Sequence, residues 1–235
     1  MAKMVGLNLV IRRKWIEKAI SLLDGDLSDA DYRKELDDYL AYEIESPTNR
    51  RKTREILMRV WIRDAEGAEK LQQEGRRLIR KHPDQVTAIS WCMIPLAYPI
   101  FADYARLMGK MLGFQDTVTT GQIKQKMFDE IGERGLIDTA TPKIIYLMKE
   151  LDAVKTVQTG KHEALKCPVR KEDVAALMIA TAMYLEGSSY YPFTSLSEFP
   201  LLFPFDYHIS KEYLMQDDRF SLNNFGGDLT VSLNN

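Results

Sequence analysis

Apolar positions recur along this chain at helical spacing in most segments and at strand spacing in one. Trp15, Ile16, Ala19, Ile20, Leu22 and Leu23 form one stripe of an amphipathic helix that stops at Gly25. Ser28, followed by Asp29 and Asp31, is an N-cap signal with acids in the first turn. It opens a second helix through Tyr32, Leu36 and Leu40 whose outer face is strongly acidic. Ser46-Pro47-Thr48 breaks the chain, and Asn49-Arg50-Arg51-Lys52-Thr53-Arg54 enters a third helix that buries Ile56, Leu57, Val60 and Trp61. His82-Pro83-Asp84 marks the next boundary. The most apolar part follows, Val86 to Leu112, where Pro95 and Pro99 remove backbone donors and kink or divide central helices packed on all sides. Gly113 ends it.

Thr119 with Gln122 three residues on fits a capping box, backed by the stripe Ile123, Met127, Phe128 and Ile131. Gly135 is the expected stop. Thr141 directly before Pro142 has the form of an N-cap with an N1 proline, starting a helix with the stripe Ile144, Ile145, Leu147, Met148 and Leu151. Val154, Thr156 and Gln158 alternate up to a Thr159-Gly160 turn, so residues 154–166 predict two short strands. Lys171-Glu172-Asp173 opens a last helix through Val174, Leu177, Met178, Thr181 and Leu185, closed by Gly187. Beyond it, prolines forbid a regular helix, yet the many aromatics between Tyr190 and Tyr207 predict an extended strap over the core; Gly226-Gly227-Asp228 is a turn. The expected fold is mainly α: a helical bundle over residues 1–113, a winged-helix-like segment with a small β-hairpin over 114–187, and the strap, 188–235.

Composition narrows the class. With 45% apolar residues in 235, the chain can bury a sizeable core, which excludes a disordered or collagen-like protein. Cys92 and Cys167 share no metal-ligand spacing with each other or with His82, His162 and His208, so a reduced, cytoplasmic protein without a structural metal is expected. The longest apolar run, residues 91–101, is shorter than the roughly 20 residues of a membrane span and carries two prolines. Arg12, Arg13 and Lys14 interrupt the N-terminal apolar stretch before a signal-peptide core can form.

Charge changes the picture more. The chain is net −2, but Arg50 to Lys81 holds eleven Lys/Arg against five acids, and Lys143 to Lys171 holds seven against three. Any nucleic-acid surface is therefore local. Helix, tight turn, helix, hairpin and closing helix between residues 119 and 185 match a winged helix, whose second helix enters the major groove while the wing meets the backbone. On the helix from Thr141, Lys143, Tyr146 and Lys149 share a face. The wing contributes Lys155, Lys161, His162 and Lys166, and Thr139 and Thr141 have hydroxyls to offer. Four positive charges at a helix N-terminus, Arg50, Arg51, Lys52 and Arg54, oppose the helix dipole; a phosphate backbone would explain them. The competing explanation is that exposed lysines merely solubilise a surface and the module packs or dimerises.

Catalytic signatures are absent: no glycine-rich phosphate loop, dinucleotide fingerprint, nucleophile elbow or zinc-protease motif occurs. The acidic pairs Asp37-Asp38 and Asp217-Asp218 have the form of solvated faces. No enzymatic activity and no cofactor are expected. A metal-dependent nuclease would need three distant carboxylates to converge. A protein-interaction scaffold would use the aromatic strap as its docking surface.

Leu27-Ser28-Asp29-Ala30-Asp31-Tyr32-Arg33, Glu45 to Arg51 leading into Ile56-Leu57-Met58-Arg59-Val60, Phe101-Ala102-Asp103-Tyr104 and the stretch from Ile123 to Leu136 together resemble the BrxA proteins of BREX bacteriophage-defence systems. The resemblance implies a small, all-helical, DNA-binding protein with a NusB-like bundle, encoded beside a methyltransferase and ATPases, in which Arg50, Arg51, Lys52 and Arg54 contact the DNA backbone. The acidic extension after Gly187 departs from that pattern. The expected partners are double-stranded DNA and other defence-system proteins, with a homodimer as an open alternative and no membrane.

Overall fold

The computed structural model describes residues 7–25, 27–132, 134–225 and 227–234, and it is mainly helical with small sheets of two or three strands. Helix α1 (Arg13–Ser21) runs into a 3-10 turn at Leu22–Gly25. In α2 (Asp29–Ala41) the Ser28 hydroxyl accepts the Asp31 N–H, the serine cap that the sequence indicates; Ser46, expected only in a chain break, accepts the Asn49 N–H and caps α3 (Pro47–Trp61), which therefore starts at Pro47 and not at Asn49. Helix α4 (Glu69–Lys81) is not announced by an apolar stripe, because its buried face mixes Leu71, Leu78 and Ile79 with Gln72 and Gly75. Gly75 lies where a Cβ would stand 2.3 Å from the Met93 sulfur, so the glycine sets how closely α4 approaches the next helix. That helix, α5 (Val86–Ala97), is buried at every residue except Thr87. The chain breaks at Tyr98, and Pro99 starts α6 (Pro99–Leu112), which ends at Gly113.

Strand β1 (Val118–Thr119) leads into α7 (Thr120–Ile131), whose N-terminus carries the full capping box of Thr119 and Gln122. The helix stops at Gly132, not Gly135. Gly132 takes φ +79°, a conformation with little cost only for glycine, while Gly135 lies inside α8 (Arg134–Glu150). Helix α8 therefore begins seven residues before the expected Thr141-Pro142 start. Pro142 is tolerated inside it on an exposed position, and threonine hydroxyls occupy nearby carbonyls: Thr141 donates to Ile137 at 2.7 Å, Thr139 to Leu136 at 2.9 Å. Thr141 is fully buried and also hydrogen-bonds the Tyr104 hydroxyl at 2.7 Å, so neither threonine has the free hydroxyl that the sequence suggests.

The hairpin of β2 (Val154–Gln158) and β3 (Lys161–Ala164) forms around Gly160 as expected, and β1 pairs antiparallel with β3, giving the order β1-β3-β2. After β4 (Cys167–Val169), α9 (Glu172–Glu186) is buried throughout Val174–Met183 and packs on α5, forming the centre of the core. Gly187 caps it at φ +73°.

The last segment holds a strap and more. Strand β5 (Tyr191–Pro192), 3-10 turns at Phe193–Ser197 and Pro200–Leu202, and β6 (Phe205–Tyr207), parallel to β4, cross the core. Trp91 takes the edges of Phe101, Phe203 and Phe205 at 5.0, 5.7 and 5.6 Å. Past Pro204, the last proline, regular structure resumes as α10 (Lys211–Gln216) and the hairpin of β7 (Phe220–Phe225) and β8 (Asp228–Leu233), which β5 joins. Of the expected Gly226–Asp228 turn, Gly226 lies outside the described residues; Gly227 takes φ +94°. Asp217 is no solvated acid: its side chain is 10% exposed and grips Arg219 at 2.5 Å. Among the described residues no helix is long and apolar enough to cross a membrane.

Candidate nucleic-acid interface

The first turns of α3 carry the basic run, and packing against α2 divides it. Arg50 and Arg54, one turn apart, straddle Asp37 at 3.5 and 2.8 Å. Arg54 also reaches Glu55 at 3.1 Å. These two arginines, expected as phosphate contacts, are thus engaged by carboxylates of the folded chain. Arg51 and Lys52 point outward, exposed and without an ion pair among the described residues. They line an open groove of about 540 Å³ together with Arg33 of α2, Asn8, Leu9 and Tyr98.

A second groove, about 530 Å³, runs along the other side of α3. Ser46, Asn49 and Thr53 of α3, Arg12 and Glu43 line it, and so does Lys143 from α8. Leu9 borders both grooves. Residues of both basic zones, far apart in sequence, thus line grooves that Leu9 borders, Lys143 one groove and Arg51 with Lys52 the other. Within the second groove Glu43 takes Lys14 at 2.5 Å and Arg12 at 3.9 Å. The Lys14 hydrogen bond, helped by Trp15 and by the charges of Lys14 and Arg12, holds its carboxyl below the usual range against some desolvation.

The rest of α8 and the hairpin are used unevenly. The neighbouring Glu150 carboxylate holds the Tyr146 phenol above its usual pKa, as a hydrogen-bond acceptor first and by its charge last, with partial burial between them in weight. Glu150 also accepts the Arg13 backbone N–H at 2.8 Å, and Arg13 reaches Asp152 at 2.7 Å, so the chain entering α1 lies across part of α8. Lys155 is paired with Glu163 across the hairpin. Lys149 stands near His162, while Lys161 opens the central strand β3 and Lys166 follows it; these three have no ion pair among the described residues. His162 itself is buried, its Nε2 2.9 Å from Thr120 Oγ1 and its Nδ1 3.2 Å from Thr156 Oγ1. Burial, seconded by the charge of Lys149, holds its pKa below the usual value.

Three arginines were not singled out by sequence reasoning. Arg33 lines the first groove with Arg54, and Arg59 and Arg63 contact its lining residues Tyr98 and Glu55. Arg33 reaches Glu55 at 3.0 Å and Arg63 at 2.9 Å, while Arg59 lies over the Tyr98 ring at 5.7 Å. The recurrence of Arg51, Glu55 and Arg59 every four residues of α3, with Arg63 just past its end, was the available signal for Arg59 and Arg63. Among the described residues no three His, Cys, Asp or Glu side chains gather as a metal site. Compared with protein-family models, curated proteins and solved structures, the chain matches none.

Proposed function

We propose that this protein binds double-stranded DNA without catalysing a reaction on it, chiefly through backbone phosphates. The observation that carries this reading is that Lys143 lines one groove and Arg51 and Lys52 line another, with Leu9 bordering both. These cations of a net-acidic chain have no ion pair among the described residues. Clustered cations displace counterions from a duplex, the origin of sequence-independent affinity.

The run α6, β1, α7, α8, β2, β3, with β1 added to the hairpin, supports a winged-helix reading in which α8 is the helix that faces DNA and the hairpin is the wing. Because Tyr146 and Glu150 of α8 lie against Arg12 and Arg13, contact with phosphates through Lys143, Lys149, Lys161 and Lys166 is favoured over reading of base edges. Phe203 and Phe205 of the strap pack on Trp91, which makes these two structural and weakens the case for a scaffold that docks partners there. On the BrxA resemblance, the setting is a prokaryotic phage-defence complex with other defence proteins.

A mobility-shift titration on unrelated duplexes at increasing salt tests the reading. Affinity should fall steeply between low and physiological ionic strength and be similar for all sequences. Affinity indifferent to salt would overturn it.

A further inference from the structure

The groove beside α3 holds more than a fringe of exposed lysines and arginines. At its centre the guanidinium groups of Arg33, Arg54 and Arg63 all donate to one carboxylate, Glu55, at 3.0, 3.1 and 2.9 Å. Arg59 lies over Tyr98 next to them, and Arg51 and Lys52 stand on the rim. Three arginines thus converge on Glu55 in a groove open to solvent, Arg54 also holding Asp37 and Arg33 also reaching Asp29. We propose that this groove is a binding site for a compact, multiply charged phosphate group, a phosphomonoester or pyrophosphate, and that Glu55 is the built-in anion such a group displaces.

Three features favour this ligand. Arginine forks match phosphate oxygens two at a time, and a terminal phosphate offers three such oxygens where an internal diester offers two. A doubly charged group gains about twice the Coulomb attraction of a singly charged one from the same cluster, and partial burial lessens the screening. The carboxylate already shows where an anion sits. Glu55 is ionised there despite its desolvation, because hydrogen bonds from Arg54 and Arg63 and the charges of Arg63 and Arg33 hold its carboxyl below the usual range.

The same chemistry has two sources, the 5′-phosphate at a nucleic-acid end and a free polyphosphate. The inference does not require duplex binding, so the two can fail separately. Titration of the full chain with inorganic pyrophosphate by calorimetry should show saturable one-to-one binding. Arg33→Ala and Arg63→Ala, both at partly exposed side chains, should each weaken it about tenfold or more, and Glu55→Gln should tighten it several-fold; thermal melts establish that each variant is folded. No saturable binding would overturn the proposal, as would binding that both arginine variants leave unchanged. Glu55→Gln, if folded and no tighter, overturns the displacement role. In a second arm, a duplex with 5′-phosphates is compared with its 5′-hydroxyl form: a preference that Arg33→Ala abolishes assigns the site to nucleic-acid ends, and no preference with pyrophosphate binding retained assigns it to a free anion. Lys143→Ala, outside this groove, should leave pyrophosphate binding as it was.

Discussion

Trp91 donates its indole N–H to the carbonyl of Leu201, 2.9 Å away across 110 positions of sequence, and both residues are buried. This single bond ties the central helix α5 to the strap. Replacing Trp91 by Phe keeps an aromatic ring but leaves the Leu201 carbonyl without its donor, a loss of about 1–3 kcal/mol. The denaturant midpoint should fall by that loss divided by the slope, the slope itself unchanged.

The strap's path is also set by Gly109. A Cβ there would lie 1.9 Å from the Pro200 carbonyl oxygen, and backbone cannot swing aside as a side chain can. Gly109→Ala should therefore destabilise by about 1–3 kcal/mol or more by overpacking, and should speed proteolysis between residues 188 and 207. Stability equal to the parent's would show that the strap relaxes freely.

Thr141 bridges α8 to α6 by its bond to the Tyr104 hydroxyl, and that phenol is buried; desolvation, against the Thr141 bond, raises its pKa to about 12. Thr141→Val preserves shape and strands the hydroxyl, so a loss of about 1–3 kcal/mol is expected in thermal melts.

For duplex binding, the ion pairs sort the cations. Arg51, Lys52 and Lys143 changed together to Ala should weaken affinity alike on unrelated sequences and lower the salt slope by about one for each phosphate no longer neutralised. Lys155→Ala should change little, since Glu163 already neutralises Lys155. The reverse ranking would move the DNA surface to the hairpin tip.

His162 predicts a pH dependence with a definite sign. Its folded pKa lies below the ordinary value, so the unfolded chain takes up the proton first as pH falls. Stability is therefore whole above about pH 6.5, the usual histidine value, and declines from there toward the lower folded pKa. The β1-β3-β2 sheet and the start of α7, where Thr156 and Thr120 hold the ring, are the region affected. Melting temperatures from pH 7.5 down to 5 should fall more for the parent than for His162→Gln; parallel curves would rule the histidine out.

Much of this was written locally. The caps at Ser28, Thr119 and Gly187, the break at Tyr98-Pro99 and the turn at Gly160 each depend on a few adjacent residues and the backbone groups they satisfy, so pattern alone determined them. Net charge and its two basic zones were likewise legible. Tertiary structure decided the rest because it depends on distance in space. Only the approach of α4 to Met93 makes a helix with a glycine and a glutamine on its inner face worth burying, and only packing of α2 on α3 gives Arg50 and Arg54 to Asp37. Gly132 prevailed over Gly135 as the stop because α8 extends back over Thr139 and Thr141, whose hydroxyls take up helix carbonyls around Pro142. Above all, a run of positive residues in one dimension cannot reveal which charges their neighbours neutralise; that is a matter of a few ångströms between helices.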